Sequence, residues 1–181
     1  MRFLFILVGF PGAGKSLLAY CLREWMENNG LPTFIVSKDN IREMLYGKYV
    51  FNPTTEDLVR VLTKKLVGAM LDQYNVIVDE TMVLERSRKT YIDYRLHTSV
   101  DGEKIQPIMI WCTENERNEF RRMTGGLRGV PATRWNEVIS GMRNIFEPPD
   151  SKKEFCPVFE VKDVAEFVKG DMSAVFCGLL G

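Results

Sequence analysis

Gly9-Phe10-Pro11-Gly12-Ala13-Gly14-Lys15-Ser16 follows directly on the apolar run Phe3-Leu4-Phe5-Ile6-Leu7-Val8. The glycines at 9, 12 and 14 let the backbone turn tightly and aim several N–H groups at one anion. The spacing G-x-x-x-x-G-K-S is that of a phosphate-cradling loop, provided a strand precedes it and a helix follows. The apolar run suits the strand. Lys15 through Leu22 suits the helix, whose N-terminal amides and dipole add to the pull on negative charge. Gly12, Ala13, Gly14, Lys15, Ser16 and Leu17 are therefore expected to bind a nucleotide. Lys15 would reach the β- and γ-phosphates of ATP, and Ser16 would offer its hydroxyl to Mg²⁺. The alternative is a glycine-rich turn with a solvated lysine, and the filled motif argues against it.

A length of 181 residues suits one domain, 1–181, able to bury about 70% of its unfolded surface. Cys21, Cys112, Cys156 and Cys177 are far apart and form no C-x-x-C pair, so neither a zinc site nor a disulfide framework is expected, and reduced, cytoplasmic thiols fit best. The apolar start runs into the loop without a small-residue cleavage site, which reads as a buried strand. No later run approaches membrane-spanning length, so no membrane partner is expected. The 24 Lys plus Arg balance the 24 Asp plus Glu, which removes the broad basic bias that non-specific nucleic-acid binding favours. Locally, Arg117, Arg121, Arg122, Arg128, Arg134 and Arg143 lie between Ile105 and Ser151 with no lysine among them. Guanidinium forks match phosphate oxygens.

Further along, Thr33 to Ser37 reads as a second strand, followed by Lys38-Asp39-Asn40 and a short helix closed by Gly47. Thr54-x-x-Asp57 looks like a helix cap, and Leu58, Val61, Leu62, Leu66, Ala69 and Met70 follow helical spacing as a core face. Val76-Ile77-Val78 is a third strand ending at Asp79-Glu80-Thr81. A charged helix with Arg86, Arg88, Lys89 and Arg95 spans about Leu84 to His97. Ile105 to Cys112 is a fourth strand. Thr113-x-x-Glu116 caps a helix bearing Arg121 and Arg122, which gives way at Thr124-Gly125-Gly126. A helix from about Pro131 to Phe146 carries Trp135, Val138, Ile139, Met142 and Phe146 on one face, and Phe155 to Val161 is a fifth strand. The apolar Ala174-Val175-Phe176 suits either a packed C-terminus or a dimer contact. Strands alternating with helices predict an α/β fold, a five-stranded parallel sheet flanked by helices, with ligands at the carboxyl ends of the strands.

Three clusters bear on chemistry. Asp39 could take the proton of an attacking hydroxyl while Arg42, one turn on, orients an acceptor phosphate or holds Asp39; equally, Asp39 could simply cap its helix. Asp79 could join the Mg²⁺ shell or the acceptor, and Glu80 could activate water in an ATPase. The segment of about 114–130 looks like a lid whose arginines would stabilise a transferring phosphoryl group, unless Glu114, Glu116 and Glu119 pair with them on a solvated helix. His97, Trp25 and Trp135 suit packing better than chemistry.

Together G-F-P-G-A-G-K-S, S-K-D-N-I-R, V-I-V-D-E-T and R-R-M-T-G-G-L-R-G-V-P resemble the P-loop kinases that include the phage-type 5′-polynucleotide kinases. The resemblance spans about Arg2 to Phe146. It implies an ATP- and Mg²⁺-dependent transfer to a hydroxyl, first of all at a nucleic-acid 5′ end. By position it implies Asp39 as general base, Arg42 on an acceptor phosphate, Asp79 near the acceptor, and Arg121 and Arg128 as lid arginines. The chain departs from the family pattern at Gly125, where a second lid arginine would fall, and at Glu80-Thr81, where Thr-Asn is frequent. A hydroxymethylated base in DNA, a nucleotide or a small-molecule alcohol would use the same core.

Overall fold

The computed structural model describes residues 1–93, 102–115, 132–170 and 172–180. Its centre is the first apolar run, which forms β1 (Arg2–Val8). Around it lie β2 (Thr33–Val36), β3 (Asn75–Asp79), β4 (Ile105–Cys112) and β5 (Val158–Val161). All pair in parallel, in the order β2-β3-β1-β4-β5. Leu4 is level with Val76 on one side and with Pro107 on the other.

Successive strand residues face opposite sides of a sheet, and helices cover both sides here, so β1 is apolar from Phe3 to Val8 after its first residue, Arg2. Phe3, Phe5 and Leu7 pack with Leu18, Leu22 and Met26 of α1 (Lys15–Asn28). Leu4, Ile6 and Val8 pack on the other side with Val67 and Leu71 of α3 (Glu56–Leu71) and with Tyr91 and Ile92 of α4 (Glu85–Ile92). The short helix between β2 and α3 is α2 (Lys38–Tyr46), closed by Gly47 in the left-handed region.

The later helices are α5 (Ala132–Ile145), α6 (Ser151–Glu154), α7 (Val164–Lys169) and α8 (Met172–Leu180). Trp135 and Ile139 of α5 are buried, as the sequence pattern predicts. Phe176 of α8 is buried against Phe5, with ring centroids 5.6 Å apart in an edge-on arrangement. This part of the C-terminal segment is therefore packed within the chain. The described part of the charged helix is shorter than expected, and His97 lies outside the described residues. Among the described residues no helix is long and apolar enough to cross a membrane.

Two local expectations are corrected. Thr54 does not cap α3: Asn52 accepts from the Thr54 N–H at 3.1 Å and from the Thr54 hydroxyl at 2.8 Å, capping a single 3₁₀ turn, Pro53–Thr55, ahead of the helix. The core face of α3 is also rotated from the one predicted. Val59, Thr63, Val67 and Leu71 are buried, whereas Leu58, Val61 and Leu66 are exposed. Thr63 is tolerated in the core because its hydroxyl donates to the Val59 carbonyl at 2.7 Å, which satisfies a polar group that would otherwise cost stability.

Candidate active site

β1, β2 and β3 all end at one cleft of about 670 Å³. The glycine-rich loop after β1 forms one wall. Gly9 has φ +148°, and a Cβ there would lie 2.4 Å from the Cys112 carbonyl oxygen, so only glycine fits between β1 and the end of β4. Gly14, the residue before α1, has φ +87°, and its absent side chain leaves room for Val164. The loop thus turns inward at the helix N-terminus, the geometry that presents amides to an anion. Phe10, in the loop itself, packs on Phe146 just beyond α5 with centroids 5.1 Å apart. Lys15 is buried and donates to the Phe10 carbonyl at 2.9 Å.

Gly12, Gly14, Lys15, Ser16 and Leu17 line the cleft, together with Asp39, Arg42 and Asp79. Ala13, within the loop, is buried. Arg121 and Arg128, and with them most of the expected lid, lie outside the described residues. Two further arginines of that run are described: Arg143 pairs with Glu114 at 3.0 Å and Arg134 with Glu137 at 2.8 Å. The Ser16 hydroxyl and the Asp79 carboxylate are hard oxygen donors on the same cleft. That set fits Mg²⁺, which accepts one or two protein ligands, keeps several waters and takes the rest of its shell from nucleotide phosphates.

The second wall comes from α2. Ser37, not Asp39, caps this helix: the Ser37 hydroxyl accepts from the Asp39 N–H at 3.2 Å. The Asp39 carboxylate is therefore not spent on capping, and it lies 2.5 Å from Nη1 of Arg42. Arg42 in turn makes a fork with Glu56, the first residue of α3, through Nε at 3.2 Å and Nη2 at 2.6 Å. Burial lowers the Arg42 pKa, but the Glu56 hydrogen bond and charge, with Asp39, more than reverse this and raise it. The guanidinium also faces the rings of Phe51 and Tyr49, 5.5 and 5.9 Å from their centroids.

Glu80, expected as a possible water activator, is held on both oxygens. Nζ of Lys38 lies 2.9 Å from Oε2, and the Tyr91 hydroxyl donates to Oε1 at 3.0 Å. Burial pushes its carboxyl pKa up, against the opposing pull of Lys38 and Tyr91. A carboxyl whose pKa is higher folded than unfolded contributes stability that is present at low pH and lost as pH rises through the folded value. Glu80→Gln cannot ionise, so its stability relative to the wild type is expected to improve as pH rises from the ordinary carboxylate range through the raised folded value, and to level off above it. Urea unfolding at a series of pH values measures this; a difference that stays flat, or runs the other way, would exclude the effect.

The floor of the cleft is set from outside it. Met82 lines the site with φ +52°, and its carbonyl accepts from Nη1 of Arg88 at 2.9 Å. Arg88, read in the sequence as one of several charges on a helix, is wholly buried and paired with buried Glu154 through Nε at 2.9 and 3.0 Å and Nη2 at 2.7 Å. Arg88, Glu154, Glu56, Lys38 and Tyr91 were all missed as contributors, since each partner comes from a different element. Nothing in the pattern around Arg88, the fourth residue of α4, signals its burial.

The sequence matches the family described as AAA domain over residues 4–149. Among solved structures, the Mycobacterium tuberculosis APS kinase CysC in complex with AMPPNP and APS is 17% identical, with 97% of this chain and 98% of that chain covered and a TM-score of 0.62. The protein APE1195 gives 17% identity, coverage of 97% and 93%, and a TM-score of 0.62. A chain of the Pnkp1/Rnl/Hen1 RNA repair complex is 23% identical over 80% of this chain but only 45% of that one, with a TM-score of 0.56. At these identities the structural likeness concerns the fold alone. With its phosphate loop at the centre of a five-stranded parallel sheet and a match across most of its length, the chain belongs to the AAA domain family.

Proposed function

We propose that the protein is an ATP-dependent kinase that transfers the γ-phosphoryl group to a hydroxyl, with a polynucleotide 5′-hydroxyl as the first acceptor to test. The observation that carries this is the opening of the phosphate loop and of Asp39 onto one cleft. In the transfer, the acceptor oxygen bonds to the γ-phosphorus, the bond to the β–γ bridging oxygen breaks, ADP leaves and Asp39 takes the hydroxyl proton. Lys15 and the loop amides hold the β- and γ-phosphates as charge moves between them. Bound Mg²⁺ would neutralise phosphate charge, held by Ser16 with Asp79 beside it. Asp79 and Arg42 would also flank the acceptor. Arg121 and Arg128 are proposed to meet the transferring group from the segment beyond Asn115.

The polynucleotide acceptor draws its support from the four motifs and their spacing. A hydroxymethylated base in DNA, a nucleotide or a small-molecule alcohol remains an acceptor the same chemistry would serve. Hydrolysis through Glu80 is less well supported, because both of its oxygens already have partners. Incubation with labelled ATP and a panel of 5′-hydroxyl DNA and RNA, hydroxymethylpyrimidine DNA, nucleosides, nucleotides and sugars tests the proposal. Label should move to one acceptor class, and hydrolysis without acceptor should be slow. Fast hydrolysis that ignores every acceptor and fails in Glu80→Gln would instead establish an ATPase.

A further inference from the structure

We propose that Glu56 is a specificity-determining residue that biases the acceptor side of the cleft against hydroxyl compounds presenting a phosphate to Arg42. This rests on the kinase reading and narrows its acceptor. An arginine grips phosphate best through two parallel N–H groups on one edge of its fork, the geometry it also uses for carboxylate. That edge of Arg42, Nε and Nη2, is taken by the two Glu56 oxygens, and Nη1 by Asp39. Arg42 is buried, with the side chain 10% exposed, while Glu56 is 28% exposed and so within reach of an incoming group.

The charges lining this half of the cleft point the same way. Among the described residues Lys38 and Arg42 stand against Asp39, Glu56, Asp79 and Glu80, so an acceptor phosphate meets these carboxylates as well as an occupied fork. To bind Arg42 it has to displace Glu56. An acceptor that offers a hydroxyl to Asp39 and an uncharged face to exposed Phe51 leaves the pair intact. Building a penalty against one ligand class is a recognised route to selectivity. A polynucleotide, whose first phosphodiester lies near its 5′-hydroxyl, would enter at the expense of the Glu56–Arg42 pair.

Glu56→Gln tests the proposal, because the amide cannot accept the fork with both of its terminal atoms. Inorganic phosphate is titrated into arginine-labelled protein while the Arg42 Nε–H resonance is followed, with the loop blocked by a magnesium complex of a non-hydrolysable ATP analogue and again without it. The variant should reach its midpoint at a phosphate concentration at least about tenfold lower than the wild type. Equal midpoints, or no phosphate response in either protein, would overturn the proposal. Should Glu56→Gln fail to fold, Glu56→Ala replaces it in the same titration. In the transfer assay, the ratio of kcat/KM for a nucleoside 3′-phosphate to that for the nucleoside should rise by about the same factor. No transfer to any hydroxyl would defeat the kinase reading alone; transfer with an unchanged ratio would defeat the role of Glu56 alone.

Discussion

Asp39→Asn is expected to lower phosphoryl transfer by about 10²–10⁴-fold, the usual worth of a positioned general base, while ATP binds within about threefold of its normal affinity. The two effects separate because Asp39 stands across the cleft from the phosphate loop and is anchored to α2 through its own N–H and the Ser37 hydroxyl. Asparagine keeps the shape and still accepts one hydrogen bond from Arg42, so the fork need not collapse. It cannot take a proton at neutral pH. Single-turnover transfer of labelled phosphate, set beside calorimetric ATP affinity, measures both quantities. Turnover within about threefold of wild type would remove Asp39 from the chemistry.

Glu154→Gln is expected to cost about 3–5 kcal/mol of unfolding free energy, because it leaves the Arg88 guanidinium buried without its counter-charge. Arg88 and Glu154 have side-chain exposures of 1% and 0%, and three nitrogen–oxygen contacts of 2.7–3.0 Å join them. Against a typical total of about 5–15 kcal/mol, such a loss is severe. It should appear as a lower urea midpoint with an unchanged denaturant slope. The site should feel it as well, since the same guanidinium fixes the Met82 carbonyl at the cleft floor. A loss below about 1 kcal/mol would place the pair among ion pairs of little consequence. Replacing both partners with apolar residues of similar volume, Arg88→Met with Glu154→Leu, should recover part of the loss, because the unpaired buried charge is then gone.

The contrast between these two residues shows what the chain discloses on its own. The position of Asp39 on the cleft was legible because its context is local: the expected strand end at Ser37 and an arginine three residues later fall within one hexapeptide, while the cap that Ser37 supplies was not read. The phosphate loop was legible for the same reason, and β1 through β5 followed from apolar runs between turn residues. Arg88 was not legible. Its partner lies 66 positions away, and on a helix also carrying Arg86 and Lys89 it looks like any other solvated charge. Glu56 is 14 positions from Arg42, and only the packing of α2 beside α3 brings them together.

On α3 itself the difficulty was different. Both stripes of the helix are largely apolar, and counting side chains favoured Leu58, Val61 and Leu66. The stripe that packs contains Thr63, which is polar by composition yet satisfied by its own helix. Periodicity sets the pitch of such a helix, but tertiary contact selects its face. The misplaced cap at Thr54 has a similar origin, since Asn52 and Pro53 build a competing turn just upstream.

The central claim is that the loop Gly9 to Ser16 seats a nucleotide triphosphate beside Asp39. Calorimetric titration of magnesium ATP into the folded protein and into Lys15→Ala tests it most directly. One site per chain is expected in the wild type, with affinity weakened at least about tenfold in the variant, from which the buried cation proposed to hold the phosphates has been removed. Well-folded wild-type protein that takes up no ATP, or a variant that binds it equally well, would contradict the account.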